Sequence, residues 1–184
     1  DLAFGTVDSF LLWRLSNGQS HCTDATNASR TMLFNIVEQK WDTELLALFD
    51  IPESVLPEVK DCAADFGNSA AEHFGAALPI SGMIGDQQSA AFGQGCFTKG
   101  SAKSTYGTGC FVLSNTGSEI IKSKNGLVTT IAWVINGEAT YALEGSVFIA
   151  GSAIAWLRDG LRMFKNAKDS EDYAKRIKGS EGIY

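Results

Sequence analysis

The sequence has no run of Lys or Arg, and its 15 basic residues are outnumbered by 21 acidic ones, for a formal charge of −6 and an isoelectric point near 4.9. Nothing in it can track a phosphate backbone, so no nucleic-acid partner is expected. Long apolar runs are missing too. The most hydrophobic stretch, GSVFIAGSAIAWL from Gly145 to Leu157, stops at Arg158 and is too short and too rich in Gly to span a bilayer. No membrane partner is expected, and the stretch reads as a buried core helix. Cys22, Cys62, Cys96 and Cys110 form no C-x-x-C pair, and His21 and His73 are not at ligand spacing. These absences argue against a protein-held metal. They favour free, mostly buried thiols in a reducing compartment, which makes the cytoplasm the expected location. The chain also starts at Asp1 with no Met, charged leader or apolar signal segment, and reads as an interior piece of a longer polypeptide. No fixed-period repeat is visible.

The 184 residues suffice for one ordinary domain or two small ones with a real core. Gly5-Thr6-Val7-Asp8, then FLLWRL and Asn17-Gly18, predict a helix of about two turns with Thr6 and Asp8 as caps. The cluster of short oxygen-bearing side chains from Thr23 to Ser29, ahead of TMLFNIVEQKW, suits helix capping or a turn facing a cleft. DTELLALF predicts a short helix packing Leu45, Leu46, Leu48 and Phe49, ended by Ile51-Pro52. Residues 53–78, with Pro57, Gly67 and Gly75, suit a surface connection, a natural place for regulatory contacts.

From residue 78 the pattern changes. LPISGMI predicts a strand, Gly85 a tight turn, and residues 86–97 a helix with Ala90, Ala91 and Phe92 inward. Two short strands flank Gly107-Thr108-Gly109, and Asn136-Gly137 predicts a type I′ hairpin between Val- and Thr-rich runs. Residues 146–164 predict a helix with buried first turns, and the charged tail an exposed helix or loop. The sum is a mixed α/β chain with a composition break near residues 95–101.

Two constellations bear on chemistry. Asp86 follows a Gly at a helix start, where free N–H groups favour negative charge. It can cap the helix, or accept a hydroxyl proton during phosphoryl transfer, where positioning does most of the work. Gln87 beside it offers a donor and an acceptor suited to a polyol hydroxyl, or is an ordinary surface glutamine. Thr105-Tyr106-Gly107-Thr108-Gly109 is a turn whose backbone N–H groups can approach phosphate, or an ordinary β-turn; with no G-K-[ST] following, it is not a P-loop. Gly145 and Gly151 permit either close packing or a nearby nucleotide.

Taken jointly, the strings GTVDSFLLWRL, TDATNASRTMLFNI, IPESVLPEV, PISGMIGDQQSAAFGQ, STYGTGCFVLSNTG, NGLVTTIAW and YALEGSVFIAGSAIAWLRD resemble the glycerol-phosphorylating members of the FGGY carbohydrate kinase family, in that family's order, over residues 4–164. The resemblance implies an actin-like, ribonuclease-H-like α/β ATPase fold, with the substrates in a cleft between two domains. Residues 1–96 would end the first domain and residues 97–184 begin the second. It implies a transferase that moves phosphate from ATP to glycerol with Mg²⁺, releases ADP, and works as a homo-oligomer in its full-length form. Asp86 matches the family's catalytic base, Gln87 its hydroxyl-binding neighbour and Phe111 the aromatic against the glycerol carbons. Thr108 matches a nucleotide-phosphate contact and Gly151 a glycine beside the nucleotide. Ala155 stands where some members have a nucleotide-contacting Gln, so that contact is not expected.

A second departure is regulatory. Bacterial members inhibited by fructose 1,6-bisphosphate carry a Gly-rich loop ending in Arg, whereas this chain has Ala76-Ala77 and no Arg or Lys between Lys60 and Lys99. The remaining parts of the family's site lie outside these residues, so the chain alone is expected to have negligible kinase activity. Two other readings stay open: a sibling kinase for another polyol or a sugar, and a non-catalytic interaction fragment of an actin-like fold.

Overall fold

A computed structural model describes residues 2–180 and residue 182. Its elements, in chain order, are α1 (Val7–Leu15), β1 (Cys22–Asp24), α2 (Ala25–Ala28), β2 (Phe34–Asn35), β3 (Lys40–Trp41), α3 (Thr43–Leu48), β4 (Glu58–Lys60), α4 (Ala71–Phe74), α5 (Asp86–Gly93), β5 (Ala102–Tyr106), β6 (Cys110–Gly117), β7 (Val128–Ile135), β8 (Glu138–Val147), α6 (Gly151–Asp159) and α7 (Asp169–Lys175). The chain divides into two compact units, one of residues 1–103 and 113–144, the other of residues 104–112 and 145–184.

The first unit holds the core. β1 and β4 pair in parallel, with Asp24 opposite Lys60, and β2 and β3 form a small antiparallel ladder. The third sheet has the order β5-β6-β8-β7, and the far ends of β5, β6 and β8 continue into the second unit. Asn136 (φ 54°) and Gly137 (φ 76°) make the two-residue turn between β7 and β8, with Ile135 opposite Glu138, as the Asn-Gly pair predicts. Ile131 and Val134 of β7 pack with Ala25, Ala28, Phe34 and Tyr141, while Ala132 and Trp133 pack with Cys62, Ala91, Cys96 and Leu113. All four cysteines are free thiols, three of them buried.

Several expectations are corrected. Thr6 occupies the N-cap position of α1 but makes no side-chain cap bond. Its hydroxyl donates to Asp8, whose other oxygen accepts from Thr23 Oγ1 at 2.6 Å, so the pair ties α1 to β1. TMLFNIVEQKW folds into the β2–β3 ladder after one turn of α2. Of the α3 leucines only Leu46 is buried. Residues 53–78 are more than a surface connection: they supply β4 and the core residues Cys62 and Phe66. LPISGMI makes no strand; it is tied down by an isolated bridge of Pro79 to Asn68, and by bonds of Leu78 with Ser69, of Ile80 with Phe66 and Gly67, and of Met83 with Cys62. Helix α5 stops at Gly93, with Ala91 buried but Phe92 at the surface against Phe97 and Trp133.

The second unit corrects the apolar stretch most. β8 runs through Val147, Phe148 is 80% exposed, α6 begins only at Gly151 and none of its residues is buried. Apolar composition alone does not bury a segment; a partnering face must cover it. Within the charged tail, residues 169–175 form helix α7, none of whose residues is buried; residues 181, 183 and 184 of the tail lie outside the described residues. No helix among the described residues is long and apolar enough to cross a membrane.

Candidate functional site

Asp86 is the first residue of α5, exposed, with Gly85 as the N-cap. It is therefore one position inside the helix, and its Oδ1 accepts the Gln87 N–H at 2.8 Å. Free N–H groups of a first turn attract negative charge, so this is a favourable seat for a carboxylate. Gly85 is held from behind, because its N–H donates to Thr26 Oγ1 at 2.8 Å. Thr26 Oγ1 in turn donates to Asp24 Oδ2 at 2.6 Å.

Asp24 is fully buried and anchors this end of the unit. It caps α2, as the polar cluster suggests, accepting the Thr26 N–H (2.9 Å) at Oδ2 and the Asn27 N–H (3.2 Å) at Oδ1. Asn27 Nδ2 adds a bond at 2.7 Å and the Cys62 thiol one at 3.1 Å. Burial, followed by the neighbouring Asp24 charge, pushes the Cys62 thiol well above its ordinary value. The thiol also accepts the Val134 N–H, which links the network to β7.

Gln87 is half-buried, and its Oε1 accepts from the ammonium of Lys103 on β5. Lys103 is 2% exposed, a residue that composition and spacing did not single out. Burial lowers its ammonium pKa, opposed by the charges of Glu144 and then Asp86. Glu144, 5% exposed on β8, takes a bidentate pair from Arg30 at 2.8 and 3.2 Å. The only signal for Lys103 lay in strand alternation, which puts its side chain on the covered face of β5. An apolar groove of this unit, about 490 Å³ and lined by residues such as Leu11, Ile84 and Trp133, does not include Asp86 or Gln87.

The other expected residues belong to the second unit. Thr108 is exposed at the tip of the turn between β5 and β6. Its carbonyl accepts the Ala150 N–H at 2.8 Å and the Ser152 N–H at 3.2 Å, while the Gly107 carbonyl accepts the Gly151 N–H at 2.9 Å. Gly151 is the first residue of α6, so the Gly-rich turn is sewn onto that helix start. The glycines are needed there. A Cβ on Gly109 would lie 2.7 Å from the Val147 carbonyl oxygen, and one on Gly151 would lie 2.5 Å from that of Gly107. The N–H groups of Gly107, Ala150, Gly151 and Ser152 are all spent on carbonyls of this turn, so what it presents to a phosphate group is the exposed Thr108 at its tip. Phe111 follows on β6, half-buried. The structure thus brings Asp86 together with Gln87, and Thr108 with Gly151, each pair within its own unit.

Residues 2–93 match the N-terminal domain, and residues 102–181 the C-terminal domain, of the FGGY family of carbohydrate kinases. The chain belongs to that family. Among curated proteins it is 58% identical, over 100% of its length, to glycerol kinases of Bacillus licheniformis and Alcanivorax borkumensis, and spans 37% of each. Among solved structures it is similar to Plasmodium falciparum glycerol kinase with ADP, at 40% identity and a TM-score of 0.87, over 95% of this chain and 35% of that one. It shares its fold with the xylulose kinase of Rhodospirillum rubrum, at 21% identity and a TM-score of 0.75, over 92% of this chain and 35% of that one. The mixed α/β architecture is accordingly that of FGGY kinase domains.

Proposed function

We propose that this chain is the central segment of a glycerol kinase, an enzyme that transfers the γ-phosphoryl group of ATP to glycerol and yields sn-glycerol 3-phosphate and ADP. The observation that carries the reading is an exposed carboxylate in the first turn of α5 with a hydrogen-bonding amide beside it, in a chain 58% identical along its whole length to glycerol kinases. Asp86 takes the proton of the attacking hydroxyl as that oxygen bonds to the γ-phosphorus, and the electrons of the broken bridging bond leave with ADP. Gln87 binds a glycerol hydroxyl, and Phe111 offers an aromatic surface to the glycerol carbons. Thr108 contacts the nucleotide phosphates and Gly151 lies beside the nucleotide, a reading supported by the bonds that bring the exposed Thr108 against the start of α6.

Mg²⁺ would neutralise charge on the phosphates. It would arrive with the nucleotide, which suits a chain with no group of three His, Cys, Asp or Glu side chains at metal-binding distance among its described residues, because this ion is held through substrate phosphates and retained waters more than by an all-protein cage. We place the border between the two family domains at residues 96 and 97, and the whole enzyme, in its actin-like fold, in the cytoplasm as a homo-oligomer. Side-by-side kcat/KM values of the full-length protein on glycerol, erythritol and xylulose test the substrate. Preference for glycerol by more than about tenfold is expected, and a preference for either of the others overturns it.

A further inference from the structure

The Lys103 ammonium, nearly inaccessible to water, ends on the side-chain oxygen of Gln87. An ammonium has three donors and no acceptor, so only the carbonyl end of an amide can face it. The partner atom is thereby settled by chemistry. With Oε1 turned to Lys103, the NH₂ is the end of the amide that faces away from the lysine, and it is a pure donor. A buried cation needs compensation, and the field around Lys103 supplies it from Glu144 first and from Asp86 second. Glu144 is in turn clamped by both guanidinium nitrogens of Arg30. A chain of charges, Arg30 to Glu144 to Lys103, ends on the amide next to Asp86, and every member lies in the first unit.

We propose that Lys103 is a positioning residue that locks the Gln87 amide so that its NH₂ faces the substrate, making Gln87 a donor-only reader of a polyol hydroxyl. This rests on the reading of Asp86 and Gln87 as the polyol site. A hydroxyl bound there accepts from Gln87 through a lone pair and keeps its own proton, which is the proton that Asp86 must receive. A freely rotating amide could instead accept that proton in a hydrogen bond and hold the hydroxyl in an unreactive orientation. The lysine thus selects which end of the substrate O–H group each neighbour sees.

The test is a double-mutant cycle in the full-length protein, with glycerol and ATP kinetics for wild type, Lys103→Met, Gln87→Ala and the double variant. Lys103→Met should raise the glycerol KM about tenfold, the loss of one well-placed hydrogen bond, and leave the ATP KM unchanged. Added to Gln87→Ala, it should change the glycerol KM less than about twofold, because the amide it orients is gone. An equal effect in both backgrounds means that Lys103 supports only the fold and overturns the proposal. Gln87→Glu at the half-buried position provides a second arm should Lys103→Met fail to fold. A carboxylate still pairs with Lys103 but offers no donor, so this variant should lose glycerol affinity as fully as Gln87→Ala. Wild-type affinity in Gln87→Glu also overturns the proposal. A wild-type protein that turns over no polyol fails the site reading itself, and that result is distinct from an active enzyme with an additive Lys103 effect.

Discussion

Replacing Asp24 by Asn exchanges one carboxylate oxygen for an NH₂ group at a fully buried position. Oδ2 accepts from the Thr26 N–H, the Thr26 hydroxyl and the Cys62 thiol, and Oδ1 from the Asn27 N–H and side-chain amide. Asparagine keeps one acceptor oxygen, so whichever way its amide is turned, a backbone N–H, that of Thr26 or that of Asn27, confronts another donor, and the side-chain donors on the same side must rotate away from their present bonds to accept from the new NH₂. Two charge-assisted bonds at about 1.5–3 kcal/mol each give a gross loss of about 3–6 kcal/mol. Relief of the desolvated charge returns part of this, and a net loss of roughly 2–4 kcal/mol is expected. Urea unfolding of the full-length protein, followed by tryptophan fluorescence, measures it, since Trp41 and Trp133 pack on the core clusters next to this network. The variant should also loosen Gly85 through Thr26 and so lower kcat. A stability change below about 0.5 kcal/mol would refute the reasoning, because a surface-like value means the carboxylate does not carry these bonds.

Gly109→Ala and Gly151→Ala should each raise the ATP KM at least about tenfold, since the new methyl groups collide with backbone carbonyls, whereas Gly107→Ala, whose Cβ would meet nothing closer than 3.9 Å, should be mild; equal effects at all three would contradict the packing argument. Because burial raises the Cys62 thiol above its ordinary 9.0, its contribution to stability is complete below pH 9.0 and is lost as pH rises further. The urea midpoint should therefore fall from about pH 9 to about pH 11, and less steeply in Cys62→Ala; identical slopes would refute the assignment. Fructose 1,6-bisphosphate should not inhibit through residues 71–81, which carry no Lys or Arg. Inhibition that disappears on mutating that loop would overturn this.

Local features were legible in the sequence. Asn136-Gly137 marks its turn because both positive φ values are properties of those two residues, and Asp42 marks the start of α3 because a cap acts across three residues. The parallel pairing of β1 with β4 left no trace, since each strand is three residues long and the partners are far apart in sequence. The stretch around Phe148 misled because hydrophobicity reports what a segment can bury, not what covers it. At the proposed site, the place of Asp86 after Gly85 left capping and catalysis both open, and only the resemblance of the surrounding strings to the family singled out Asp86 and Gln87. Lys103 did not stand out, because a buried lysine becomes meaningful only once Gln87, Glu144 and Arg30 are known to surround it.

The central claim is that Asp86 is the base for the glycerol hydroxyl. Its most direct test is kcat of Asp86→Asn in the full-length protein, with the circular dichroism spectrum and urea midpoint as checks on folding. At an exposed position, loss of the first-turn charge should cost no more than about 1 kcal/mol of stability, while loss of the base should lower kcat by about 10²–10⁴-fold. A folded variant whose kcat stays within about threefold of wild type would contradict the account, because a group that carries the proton transfer cannot be dispensable to turnover.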